Sequence, residues 1–233
     1  MASAPPPGEG AAAIARVWDV PVRLVHWTMV FLFVFSWWSV ENHEMDWHRL
    51  SGLTLLGLLV FRILWGFFGG STARFSSFVR GPGAVIRYAR ALVGKGEGEA
   101  YHGHNPLGGL SVMAMLLLLV AQVSLGLFAV DVDGLESGPL STYVSFDTGR
   151  AAAKAHETIF DLLLIVIGLH VVAVFSYLIV KRENLIGAMV TGRRRGAGDP
   201  LRGAPIWVFV VVAVIAAGVA WWLAKGASPP FGG

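Results

Sequence analysis

Long apolar runs alternate with short polar connections along this chain. Five runs, near 22–40, 48–68, 107–130, 155–180 and 205–224, are close to the length needed to span a membrane. About 20 helical residues cross a hydrocarbon layer of about 30 Å. No water is available inside that layer to satisfy a backbone N–H or C=O, so each run is predicted to be an α-helix. A shorter pattern, PGAVIRYARALVG, puts Val85, Ile86, Ala89, Leu92 and Val93 on one side and Arg87 and Arg90 on the other. It predicts a helix that either lies on a leaflet or packs on the ends of the membrane bundle.

Charge sits in the connections and separates by sign. Arg16 and Arg23 precede the first run. Arg74, Arg80, Arg87, Arg90 and Lys95 separate the second from the third. Lys181, Arg182, Arg193, Arg194, Arg195 and Arg202 follow the fourth. The remaining loops hold Glu41, Glu44, Asp46, Asp131, Asp133, Glu136 and Asp147. The positive-inside rule then expects the N-terminus in the cytoplasm and the C-terminus outside. Trp37, Trp38 and Trp47 fall at one expected interface and Trp27 and Trp65 near the other, as an aromatic belt requires. The fold class expected is an all-α membrane protein. A four-helix transmembrane bundle occupies 16–195, and a fifth C-terminal transmembrane helix occupies 205–224. Residues 1–15 are expected to be a disordered tail, 196–204 a Gly/Arg-rich linker and 225–233 a short tail.

Composition narrows the chemistry. Of 233 residues, 55% are hydrophobic and 14% charged, against roughly 25% charged in soluble domains. The start, MASAPPPGEGAAAIA, lacks the basic region and apolar core of a signal peptide, so the first apolar helix is expected to direct insertion. Cysteine is absent, which excludes disulfides, cysteine-held iron–sulfur clusters and covalent c-type haem. Membrane lipid is an expected partner and nucleic acid is not.

Histidines are the informative polar residues inside the runs. His156 and His170 lie fourteen residues apart in one run, close to four helical turns, so they share a face at about 21 Å separation. An imidazole at membrane depth usually has a partner. The expected topology supplies one for each. His26, near the start of the first run, is level with His170, and His48, at the start of the second, is level with His156. Each pair fits the two faces of a haem iron between facing helices, predicting two b-type haems. Zinc is a rival, but it prefers three or four clustered ligands and each depth offers two. Gly52, Gly57, Gly66 and Gly168 either let a macrocycle approach or serve helix packing. Arg62, well inside the second run, either pairs a propionate of the inner haem or snorkels to the surface. Glu157 and Asp161 either orient His156 or are surface acids, and His43 and His102 read as loop residues.

Several motifs occur together: WDVPVRLVHW (Trp18 to Trp27), FRILWGFFG (Phe61 to Gly69), ARFSSFVRGP (Ala73 to Pro82), HNPLGG (His104 to Gly109) and the two spaced histidines of the fourth run. With them the sequence resembles the bacterial di-haem cytochrome b-561 family, which includes the cytochrome b subunit of nickel–iron hydrogenases. The resemblance covers roughly 16–195 and leaves the fifth run outside. It implies four membrane helices, two haems b, exchange of electrons with membrane quinone, and His26, His48, His156 and His170 as axial ligands. In HNPLGG, Asn105 and Pro106 suit a helix start. His104, beside the expected inner haem, either donates to a propionate or a quinone carbonyl, or takes no part.

The function expected is electron transfer across the membrane. A periplasmic partner, a c-type cytochrome or a hydrogenase-like subunit, meets the acidic outer loops, and quinone is met near the cytoplasmic interface. A second expectation is a stand-alone superoxide:quinone oxidoreductase gathering its anion near Arg150 and Lys154. A third is a haem-free transporter or membrane anchor whose histidines relay protons.

Overall fold

The computed structural model describes residues 14–93, 104–195 and 201–227. Most of the expected N-terminal tail, Lys95, His102, part of the expected linker and part of the C-terminal tail lie outside the described residues. Among the described residues five helices are long and apolar enough to cross a membrane. They are α1 (Val20–Glu41), α2 (Met45–Phe68), α5 (Pro106–Phe128), α6 (Phe146–Ile179) and α8 (Ile206–Ala224). Short helices α3 (Phe75–Phe78) and α4 (Pro82–Val93) follow α2, and α7 (Leu185–Thr191) follows α6. Strands β1 (Ile14–Arg16) and β2 (Arg193–Arg195) pair antiparallel.

The helices begin where local chemistry starts them. Asp19 caps α1, its carboxylate accepting from Val22 N at 2.9 Å, with Pro21 in the first turn. Asn105 caps α5 by accepting from Gly108 N at 2.7 Å, and Pro106 opens the helix. Each cap satisfies a helix-end donor that hydrocarbon would leave orphaned. Ser145 caps α6 through Thr148 N at 3.2 Å, so this helix starts nine residues before the run expected from 155. Its 34 residues extend about 50 Å at 1.5 Å per residue. The surplus over the membrane is the polar, alanine-rich first part, FDTGRAAAK, which is helical but not apolar.

α1 packs on α2, α2 on α5, and α5 on α6, while α8 lies along α2. α6 makes no extended backbone packing with α1 or α2. Aromatic side chains span that separation, Phe160 of α6 stacking on Phe33 at 5.6 Å and meeting Trp37 at 5.7 Å. The larger apolar core cluster joins α1, α2 and α8. There Val22 and Val25 of α1, Phe61 and Trp65 of α2 and Val208, Val212 and Ala216 of α8 are buried together. The fifth membrane helix is therefore an integral packing element. Gly57, one of the glycines considered for cofactor approach, faces it: a Cβ there would lie 3.3 Å from the Ala220 Cβ. Gly66 likewise accommodates Phe75, whose ring would stand 2.2 Å from an added Cβ. Both glycines serve packing.

α4 is the amphipathic helix expected from 82–94, and it packs on the start of α5. The Tyr88 hydroxyl lies 2.6 Å from that of Tyr177 on α6, and Asn105 Nδ2 donates to the Tyr177 hydroxyl at 2.7 Å. Burial raises the Tyr88 pKa, the Tyr177 hydroxyl adding to the effect, so Tyr88 keeps its proton. A hydrogen-bonded tyrosine pair holds α4 against the bundle end.

Asp19 is also the acceptor for the buried Trp65 indole, at 2.9 Å. Asp19→Ala removes a cap and strands a buried N–H together. It is expected to lower stability by about 2–4 kcal/mol, whereas Asp19→Asn keeps one acceptor oxygen for the two donors and is expected to lose roughly half as much. Thermal unfolding in detergent distinguishes the two variants.

Candidate haem-binding site

The histidines gather at the two ends of the bundle. At the acidic end, His48 in the first turn of α2 and His156 of α6 approach with ring centroids 6.1 Å apart and planes at 85°. Two imidazoles on opposite sides of one metal, with bonds of about 2 Å, have ring centres roughly 6 Å apart. His48 Nδ1 lies 3.1 Å from the Ser36 carbonyl oxygen and 3.0 Å from the Ser36 hydroxyl. His156 Nδ1 lies 2.8 Å from the Gln122 carbonyl oxygen. A carbonyl only accepts, so both Nδ1 atoms carry the proton and donate it. Each Nε2 is then left with a lone pair, the form in which imidazole binds a metal. His156 Nε2 at present accepts from the Gln122 side-chain amide at 3.0 Å. That amide's Oε1 is buried without a partner, so the side chain is only half satisfied in this position.

Small residues flank this pair. A Cβ on Gly126 of α5 would stand 3.0 Å from His156 Cε1, so the imidazole lies directly on the α5 backbone. Gly52, one turn beyond His48 on the same face, has open space where a Cβ would go, and so does Gly168. These two remain available for the close approach of a flat ring.

At the basic end His26 and His170 lie within electrostatic reach of each other, and His104 is close to both and to Arg62. His26 Nδ1 and His104 Nδ1 are buried without hydrogen-bond partners. His104 is held between aromatic rings, Trp18 at 4.6 Å and Phe78 at 4.8 Å. Desolvation first, then the positive charge of Arg62 and the neighbouring histidines, pushes its pKa down to about 3. His104 is therefore a neutral imidazole with one N–H to give at physiological pH.

Arg62 is buried, at 8% exposure, and does not snorkel. Its guanidinium lies 5.5 Å over the Phe75 ring, and Nη1 makes a long 3.5 Å contact with the Ala73 carbonyl. A buried cation with so few acceptors is suited to an incoming anion.

Other residues considered fall away from these clusters. Glu157 pairs with Lys154 at 2.9 Å on the surface, and Asp161 and His43 are exposed. Among the described residues no group of three or more His, Cys, Asp or Glu side chains comes together as a metal site. The donor set is a pair of imidazoles at each end, which suits a porphyrin iron better than zinc. Ser36 and Gln122 were not foreseen. Gln122 carries a signal nonetheless, as an amide inside an otherwise apolar helix, where polar groups are costly.

Comparison with known proteins gives the context. Residues 17–192 match the family described as prokaryotic cytochrome b561. The chain belongs to that family. It is accordingly a multi-pass membrane protein that transfers electrons by means of b-type haem. The matched region takes in α1 to α7 and leaves α8 outside. No curated protein and no solved structure matches the chain.

The closeness of Gly126 to His156 gives a direct test. Gly126→Val drives a branched side chain into the imidazole and is expected to lower bound haem per chain, measured by pyridine haemochrome. Ser36→Ala removes a hydroxyl but keeps the carbonyl that His48 uses, so haem content is expected to stay near the parent value.

Proposed function

We propose that the protein carries electrons across a bacterial inner membrane through two haems b, one held by His48 and His156 and the other by His26 and His170. The observation that carries this reading is the pair at the acidic end, where two Nδ1-protonated imidazoles stand at the separation one iron needs. Bound haem supplies the one-electron redox chemistry. The protein supplies ligands, their orientation and a dry surrounding.

The carbonyls of Ser36 and Gln122 fix the ring orientation and raise the basicity of His48 and His156. His26 Nδ1 lacks such an acceptor, and His104, itself beside Arg62, lies close to both His26 and His170. Arg62 would balance a propionate, and the single N–H of His104 would donate to a propionate or to a quinone carbonyl. His156 and His170 are separated by about 21 Å along α6, which puts one redox group toward each membrane face. With the basic end in the cytoplasm, quinone exchanges electrons on that side and a periplasmic protein docks on the other.

The acidic end is built for a basic partner. Asp131, Asp133 and Glu136 surround a turn whose Val132 and Leu135 are 71% and 83% exposed. Arg49 is already committed to Asp46 at 2.6 Å and Glu136 at 2.7 Å. An exposed apolar tip within an acidic rim suits a c-type cytochrome or a hydrogenase-like subunit with lysines around its own redox centre. The superoxide reading is less well supported, because the cations it relies on are engaged. Arg150 donates to the Val130 carbonyl at 2.9 Å and Lys154 pairs with Glu157.

Haem per chain in purified protein tests the proposal. About two b haems are expected, with His48→Ala and His26→Ala each removing a different one in redox titration. A parent protein with a single haem, insensitive to His48→Ala, would overturn the assignment of the acidic-end pair. Oxidation of the reduced protein by a basic c-type cytochrome is expected to slow steeply as ionic strength rises; a salt-independent rate would refute docking on the acidic rim.

A further inference from the structure

Outside the haem-binding region, the basic end carries a cleft of about 730 Å³ lined by arginines from separate segments: Arg16 of β1, Arg23 of α1, and Arg193 and Arg194 of β2. Arg16 and Arg193 are direct partners in the strand register. Like charges placed opposite each other across an antiparallel pair repel. No carboxylate among the described residues pairs with either one. Arg23 donates from Nη1 to the Val190 carbonyl at 2.5 Å, but its Nε is buried without a partner.

The acids nearby balance only part of this charge. Asp19 lines the cleft and offsets one cation, its two oxygens accepting from Val22 N and the Trp65 indole. Glu183 pairs with Arg194. Arg16, Arg23 and Arg193 thus outnumber the one carboxylate that lines the cleft, and the first and last have no carboxylate partner among the described residues.

A second, apolar groove of about 330 Å³ continues from it. The two share Asp19, Val20, Pro21 and Gly203. The groove runs between α1 and the start of α8, over Leu24, Ile206 and Phe209. Leu24 and Ile206 are exposed, at 62% and 77%. A cationic cleft opening into an apolar groove on a membrane helix matches one ligand chemistry: a phosphate bearing hydrocarbon chains.

We infer that this junction of β1, β2, α1 and α8 is a binding site for an anionic phospholipid, with the phosphate between Arg16, Arg193 and Arg23 and an acyl chain in the groove beside Leu24 and Phe209. The ligand bridges the four-helix unit and the fifth helix. Basic pockets between membrane helices recognise anionic headgroups in this way.

Native mass spectrometry of the delipidated, haem-loaded protein tests this with equal amounts of dioleoyl phosphatidylglycerol and dioleoyl phosphatidylcholine. Retention of phosphatidylglycerol over phosphatidylcholine by roughly tenfold is expected. The Arg16→Ala/Arg193→Ala double variant should abolish the preference while keeping its haem spectrum. A control, Arg80→Ala/Arg87→Ala, alters basic loop residues elsewhere and should retain it. Equal retention of the two lipids would overturn the proposal. So would equal loss in the control variant, which would mean a diffuse basic surface. Binding of glycerol 3-phosphate as tight as that of the lipid would also refute it, since the groove would then contribute nothing.

Discussion

Imidazole nitrogens inside a hydrocarbon layer have no water to bond, and the bundle is arranged around meeting that need. At the acidic end the protein answers with backbone: two carbonyls, from Ser36 and Gln122, each take an Nδ1 proton. A carbonyl inside a helix is normally committed to the amide four residues on, so each of these carbonyls serves an imidazole as a further acceptor. That commitment fixes the tautomer and leaves Nε2 for a metal. It also explains why α6 lies against α5 and stands off from α1 and α2. The ring of His156 needs the bare α5 backbone at Gly126, while the far side of the same ring faces His48.

The two ends solve different electrostatic problems. At the acidic end the imidazoles are held by neutral dipoles, and charge stays on the surface in pairs such as Arg49 with Asp46 and Glu136. At the basic end a cation, Arg62, is itself buried close to His104, which in turn lies close to His26 and His170. Aromatic rings from Trp18 and Phe78 close over His104 and lower the local dielectric. A redox group placed there experiences nearby positive charge that favours its reduced form, whereas one at the acidic end does not.

Much of this was legible in the sequence because the membrane simplifies the physics. Span length follows from backbone satisfaction, and Asn105 with Pro106 marks the start of α5 as a short polar cap before an apolar run. The spacing of His156 and His170 placed two imidazoles on one helix face before any coordinates. What escaped the sequence depends on lateral packing. α8 is apolar on every side, so nothing in it reveals which face meets α2, and Gly57 could not be assigned to that contact beforehand. Gly66 and Phe75 are nine residues apart across a turn whose geometry no periodicity describes. The start of α6 was placed too late because its first turns are helical by composition without being apolar. Arg62 was ambiguous for a related reason: its length permits snorkelling, and only the packing of Phe75 over it decides otherwise.

The backbone bond from Val17 N to the Gly192 carbonyl, at 2.8 Å, joins the residues at which the family match begins and ends. Gly192 turns there with a φ of +77°, where an added Cβ would stand 2.7 Å from the Trp18 carbonyl oxygen. The electron-carrying unit is thus sewn shut into a ring whose two ends meet at a single seam on the basic side. A ring of this kind tolerates new material at the seam, because whatever is added there leaves the closure intact. α8 follows that seam in the chain and still packs into the core shared by α1 and α2. It lies back along α2, so the chain gains a packed fifth helix outside the matched region while the closure at Val17 and Gly192 and the histidines within it keep their places.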